Sequence, residues 1–192
     1  MRELIALAFT MIFVNNVLLA QFLGICSFIG VSKKRSSAFG MSLSVMLVIF
    51  LAGTISWVLY NLVLVPLEIP YLYLLVFILV IASLVQLLEM FLKKYIPTLY
   101  KSLGIYLPLI TTNCAILGVA VTGNIKATYD FTTMVVYSLA IGAGYLVVMF
   151  IFSAIREKIE NLPVPAPFKG APIALILAGF MALAFSGLLG VL

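Results

Sequence analysis

The sequence predicts an all-α polytopic membrane protein of six transmembrane helices, built as a 3+3 inverted-topology repeat with broken first and fourth helices. Three observations predict it. Of the 192 residues, 65% are hydrophobic and 9% charged, with mean hydropathy +1.31; soluble chains run nearer half apolar and a quarter charged. The apolar residues fall in continuous runs of about 20, the length at which a helix crosses a bilayer. The only two cysteines stand 88 positions apart and open the same short pattern, Cys26-Ser27-Phe28-Ile29-Gly30-Val31 and Cys114-Ala115-Ile116-Leu117-Gly118-Val119.

Six spans follow in order: Leu4–Ile29, Phe39–Val65, Tyr71–Leu92, Leu103–Val121, Thr132–Ile155 and Ile173–Val191. Lipid offers backbone groups no hydrogen bonds, so spans must be helices or a closed barrel, and continuous runs without ten-residue alternation exclude the barrel. Span one begins at the weakly charged Met1-Arg2-Glu3 and lacks a clear cleavage site, so it reads as a retained helix. Pro66 and Pro70, Pro97 and Gly123-Asn124 punctuate the connections, and Pro163, Pro165 and Pro167 stiffen the longest loop. The whole chain, 1–192, forms a single integral membrane domain, with repeat one over about 1–96 and repeat two over about 97–192.

Charge sets the orientation. Lys33, Lys34, Arg35, Lys93, Lys94, Lys101, Arg156, Lys158 and Lys169 follow spans one, three and five, whereas Arg2 and Lys126 lie on the other side. Nine against two is a strong positive-inside bias, placing the basic loops in the cytoplasm and both termini outside. It also accounts for the net charge of +5 without nucleic acid as a partner. At an offset of 88, Gly30 meets Gly118, Met46 meets Met134 and Trp57 stands opposite Tyr145; spans three and six do not align. Each half holds three spans, an odd number, so the halves enter the membrane in opposite directions, the plan in which broken helices meet near the midplane.

The two broken spans carry the candidate site. Asn15, Asn16, Gln21 and Gly24 precede Cys26; Gly104, Pro108, Thr111, Thr112 and Asn113 precede Cys114. Gly24 relaxes backbone sterics and Pro108 removes a backbone donor. Non-helical backbone at membrane depth must be covered by protein or line a cavity. These residues could also serve only as helix–helix glue, and the cysteines as small buried hydrophobes or as a disulfide. The metal reading is sharper: thiolates select soft metals and Fe–S clusters, and a [2Fe–2S] cluster takes four cysteines, so a second polypeptide would supply two. Helix N-termini and loop amides aimed at the sulfurs would offset the burial of an anionic site. Gly24, Gly30, Pro108, Thr112, Asn113 and Gly118 are the supporting candidates around Cys26 and Cys114. Glu89 and Lys93 have the spacing of an i,i+4 ion pair near the headgroups. His is absent, and so are a G-x-G-x-x-G fingerprint, a P-loop and a C-x-x-C pair, which excludes dinucleotide or ATP binding by this chain alone.

Several runs carry a family resemblance: Val14-Asn15-Asn16, Phe22-Leu23-Gly24-Ile25-Cys26, Val31-Ser32-Lys33-Lys34, Leu103-Gly104-Ile105, Leu107-Pro108-Leu109-Ile110-Thr111-Thr112-Asn113-Cys114-Ala115 and Val164-Pro165-Ala166-Pro167-Phe168. Nearly end to end, the chain resembles the RnfA/NqrE family of membrane subunits. Asn15-Asn16 and Val164–Phe168 fit the RnfA branch, of the Rnf complex, better than the NqrE branch, of the sodium-pumping NADH:quinone oxidoreductase. The resemblance implies a bacterial cytoplasmic (inner) membrane complex that couples ferredoxin:NAD oxidoreduction to Na⁺ or H⁺ translocation. It implies a homologous, oppositely oriented RnfE-like partner, RnfB-, RnfC-, RnfD- and RnfG-like subunits, and a bilayer around them. It also implies one intramembrane [2Fe–2S] cluster that takes Cys26 and Cys114 as its ligands from this chain, with flavin and NAD held elsewhere. A secondary carrier with a midplane site, or an assembly protein with incidental cysteines, are the rival readings of the residues.

Overall fold

The computed structural model describes residues 2–66, 70–95, 107–126, 129–160, 162–163 and 165–187. Among them the secondary structure is helical throughout. In chain order the helices are α1 (Arg2–Phe9), α2 (Ile25–Val31), α3 (Arg35–Leu59), α4 (Tyr73–Tyr95), α5 (Leu107–Thr111), α6 (Cys114–Val121), α7 (Phe131–Glu160) and α8 (Ala171–Ser186). Wider π turns extend α1 over Thr10–Val14, α3 over Tyr60–Leu64 and α6 over Thr122–Lys126; short 3₁₀ turns at Pro70–Leu72 and Ala166–Phe168 precede α4 and α8. Pro97, Lys101 and Gly104 lie outside the described residues.

The centre is the antiparallel pair α3 and α7. Arg35 Nε meets Glu157 at 2.6 Å at one end, and Trp57 Nε1 donates to the Tyr129 carbonyl at 2.7 Å at the other. Both helices are apolar on every side, the pattern of a helix surrounded by protein or lipid. Met41, Val45, Ile49 and Ala52 of α3 are buried against Met134, Ile141, Tyr145 and Met149 of α7. Small residues let the backbones close up, as expected where lipid removes any hydrophobic drive between helices. A Cβ at Gly142 would strike Met46, and one at Gly53 would strike Ser138 Oγ.

The remaining helices are arranged about that pair. Helix α4 packs on α3, α5 and α6, while α8 packs on α7, α2 and the π turn after α1. Each therefore lies against the broken segment of the other half, a correspondence of contacts that the 88-residue alignment misses for these two helices. Their outer faces carry exposed Leu75, Leu79, Leu87 and Phe91 on α4 and Leu175, Phe180 and Leu183 on α8, side chains suited to lipid.

Three helical stretches are long and apolar enough to cross a membrane: Arg35–Leu64, Tyr73–Tyr95 and Phe131–Ile159. They match spans two, three and five. Spans one and four are shorter helical pieces about a break, and span six is helical over the 16 residues Ala171–Ser186 in its described part. Helix α7 runs past the expected Ile155 to Glu160, because Arg156 is tucked inward: its Nη1 donates to the Ile29 carbonyl at 2.6 Å and to Ser32 Oγ. Glu89 and Lys93 do not form the expected ion pair, whereas Arg35 and Glu157, on two different helices, do pair. An exposed i,i+4 pair is worth only about 0.3–0.5 kcal/mol, too little to hold two long side chains together.

Candidate functional site

Each broken span stops for an identifiable reason. In span one, the helix ends as the Asn15 amide closes onto the Thr10 carbonyl at 2.7 Å. Buried Asn16 then takes over from the helical ladder: its Nδ2 donates to the Ile12 carbonyl at 2.9 Å and its Oδ1 accepts from the Leu18 amide at 3.0 Å. Phe22 follows with φ +53°, a costly value for a bulky side chain, and Gly24 with φ +87°, where glycine alone is unstrained. The chain then re-enters a helix at Ile25. In span four the break is shorter. Asn113 leaves the helix in an extended conformation and caps α6, its Oδ1 accepting from the Ala115 amide at 3.1 Å. The polar residues at the breaks thus satisfy freed amides, as expected.

Pro108 plays a different part from the one its sequence suggests. It stands in the first turn of α5, where its missing N–H leaves no bond unmade. Asn113, five residues on, makes the break.

The two breaks meet. The Gly24 amide donates to Cys114 Sγ at 2.9 Å, so the left-handed turn of span one supplies a hydrogen bond to the thiol of span four. Cys114 is the first residue of α6 and Cys26 the second of α2, placing both sulfurs at the start of a half-helix. The partial positive charge of a helix start favours negative charge nearby. Both cysteines are free thiols and both are exposed on this chain, which excludes the internal disulfide in this structure.

Behind the sulfurs lies a closed polar network. Ser27 Oγ donates to the Gly24 carbonyl at 2.8 Å, and it accepts from the Tyr145 hydroxyl at 2.8 Å and from Asn113 Nδ2 at 3.3 Å. A hydroxyl has one donor and two acceptor sites, and Ser27 uses all three. Tyr145, Ser27 and Asn113 are all buried. Through Ser27 the Tyr145 hydroxyl is linked to the Gly24 turn of span one and to Asn113 of span four. One side chain of α7 is thereby tied to both broken spans at once.

The paired glycines brace the same junction. Gly30 of α2 faces Leu109, just before the second break, and a Cβ there would touch Leu109 Cδ2 at 3.4 Å. Gly118 of α6 faces Leu23, just before the first cysteine, and a Cβ there would collide with Leu23 Cδ1. Thr112 sits in the turn itself with its side chain exposed, and with Thr111 it lines a cavity of about 300 Å³ that also touches Cys114, Leu117, Ile78 and Ile81. Of the six supporting candidates, then, Gly24 and Asn113 act directly on the sulfur-bearing turns. Gly30 and Gly118 allow the two halves to approach. Sequence does not single out Ser27 and Tyr145; the hint it offers is that Tyr145 stands opposite Trp57 in the repeat, a hydroxyl-bearing ring in a helix otherwise apolar there.

Residues 4–192 match the family described as "Rnf-Nqr subunit, membrane protein". The chain belongs to the Rnf–Nqr family. It is 50% identical over 190 residues to the A-type subunit of the ion-translocating oxidoreductase complex of Serratia proteamaculans (strain 568), covering 99% of this chain and 98% of that one. Proteins of the same description from Syntrophotalea carbinolica and Pseudoalteromonas translucida are 47% and 49% identical over the same length, with the same coverage. Within this Rnf–Nqr chain, no group of three or more His, Cys, Asp or Glu side chains converges among the described residues. A complete four-ligand centre does not form from them alone.

Proposed function

We propose that this chain is a membrane subunit of an ion-translocating oxidoreductase complex, in which Cys26 and Cys114 provide two of the four thiolates of an intramembrane [2Fe–2S] cluster. The observation that carries this reading is the 2.9 Å hydrogen bond from the Gly24 amide to Cys114 Sγ. It brings the two cysteine-bearing breaks into one place, although 88 residues separate the cysteines. The names of the relatives support the complex-level part of the reading. The donor set suits the group: soft sulfur ligands, an amide donating to one of them, and two helix starts that carry partial positive charge. Both thiols face outward, where a second protein's sulfurs can reach them.

This chain's own residues then have defined tasks. Cys26 and Cys114 bind; the Gly24 amide and the α2 and α6 first turns stabilise negative sulfur; Ser27, Tyr145 and Asn113 hold the two turns in register. A cluster bound there supplies one-electron transfer. The other two ligands come from a homologous RnfE-like subunit, in a complex that also includes RnfB-, RnfC-, RnfD- and RnfG-like subunits. Flavin and NAD are placed on those subunits, the translocated ion is Na⁺ or H⁺, and the basic loops face the cytoplasm with both termini outside.

The deciding measurement is iron and acid-labile sulfide in the co-purified homologous pair. Wild-type pair is expected to hold both, and Cys26→Ser or Cys114→Ser to lose both and to stop electron flow through the complex while the subunits still assemble. Full iron content and wild-type electron flow in the two variants refute the assignment. A carrier, by contrast, would transport an ion when this chain is reconstituted alone.

A further inference from the structure

A second cavity, of about 230 Å³, opens at the basic end of the molecule and is not lined by either cysteine. Its polar side is formed by Arg156 and Lys169, and its apolar side by Ile159, Ile173 and Leu177. We infer that this is a binding site for an anionic phospholipid, with the headgroup phosphate against Arg156 and Lys169 and an acyl chain along Ile173 and Leu177 of α8.

The two halves of the lining have different chemistry, and that decides the occupant. Arg156 is 2% exposed, and its Nη1 is fixed by the Ile29 carbonyl and Ser32 Oγ. A guanidinium so held loses little freedom when it meets a phosphate, the anion its planar donor set fits. Lys169 is exposed and adds a second positive charge at the mouth. Gly170 stands before α8 with no side-chain cap on its first turn, so that helix start adds partial positive charge on the same side. Ile173 and Leu177 are one helical turn apart and extend the apolar wall along the α8 axis. A free phosphate would use the basic side and leave the apolar trough empty. A neutral lipid would fill the trough without drawing on the basic side. Basic pockets between membrane helices near a headgroup layer recognise anionic headgroups for this reason.

The test uses the full chain in neutral detergent, with lipid retention read by native mass spectrometry. The probes are dioleoyl-phosphatidylglycerol, dioleoyl-phosphatidylcholine and inorganic phosphate. Wild-type chain is expected to retain phosphatidylglycerol at concentrations where phosphatidylcholine is lost. Lys169→Gln changes an exposed side chain and leaves the fold intact; it is expected to weaken phosphatidylglycerol retention about fivefold. Ile173→Trp fills the trough, and is expected to abolish lipid retention without changing the unfolding temperature of the lipid-free chain. Equal retention of the two lipids, unchanged retention in Lys169→Gln, or displacement of the lipid by equimolar inorganic phosphate each overturns the proposal.

Discussion

Replacing Gly24 with alanine tests how the two breaks are joined. Gly24 has φ +87°, and an alanine held there costs about 1–2 kcal/mol from the clash of Cβ with the following carbonyl. The new Cβ would also lie 3.0 Å from Asn113 Oδ1 and 3.4 Å from both Ala115 Cβ and Tyr145 Cε2. Asn113 cannot retreat without weakening its cap on the Ala115 amide, an interaction worth about 1 kcal/mol. Together these give a loss of about 2–3 kcal/mol. The assay is reversible unfolding of the chain in mixed micelles, titrated with a denaturing detergent and followed by far-UV circular dichroism. Gly179→Ala is the control, since nothing lies within 4 Å of a Cβ there; it should be neutral or gain up to about 1 kcal/mol from helix propensity. The same Gly24→Ala chain should bind less iron in the homologous pair, because the amide that meets Cys114 Sγ is displaced. Stability within about 0.5 kcal/mol of wild type would show that the turn has slack, and the account of the junction would be wrong.

Two further substitutions read the network behind the sulfurs and a third reads the surface around it. Tyr145→Phe leaves Ser27 with two of its three partners and should cost about 1 kcal/mol. Ser27→Ala strips the buried Tyr145 hydroxyl of its bond to Ser27 and should cost about 1–3 kcal/mol, with the double variant no worse than Ser27→Ala alone; strict additivity in the same unfolding assay refutes the shared bond. Arg35→Ala should change stability by less than about 0.5 kcal/mol, because Arg35 and Glu157 are 49% and 47% exposed. A loss above about 1 kcal/mol would mean that this pair does more than sit at the end of the α3–α7 packing.

Much of the fold is legible in the sequence because lipid restricts what a backbone can do. Uninterrupted apolar runs have to become helices, and spans two, three and five do so nearly as bounded. The breaks in spans one and four are legible from Asn, Gly and Thr at depth, since such residues are costly in lipid unless they bond to something. Which residue makes each break is not. Pro108 advertises a kink but stands in the first turn of a helix, and Asn113, one of six candidates around the cysteines, stands out as the breaker only when its side chain is seen to cap Ala115. Repetition alone picks out both cysteines. Ser27 and Tyr145 escape a reading of the sequence because their meaning is a distance between residues 118 apart, and no local pattern encodes it. The alignment of spans three and six fails because lipid-facing helices need only be apolar; their shared role survives in what they touch.

The polar network also explains why the thiols remain available. Every hydrogen bond that Ser27 can make is made inside the chain, and Asn113 and the Gly24 turn are buried with it. The sulfurs, by contrast, lie exposed, beside exposed Phe22 and Thr112 on irregular backbone. Irregular backbone facing bare lipid is excluded, and isolated exposed polar turns at that depth are therefore expected to be covered by protein. A covering protein that brought only apolar side chains would shield the irregular backbone from lipid and leave Cys26 and Cys114 as free thiols. One that brought two more cysteines would gather four sulfurs in one place. The shared cluster proposed above is the second arrangement, and the iron content of the homologous pair tells it from a simple packing contact at the junction of Cys26 and Cys114.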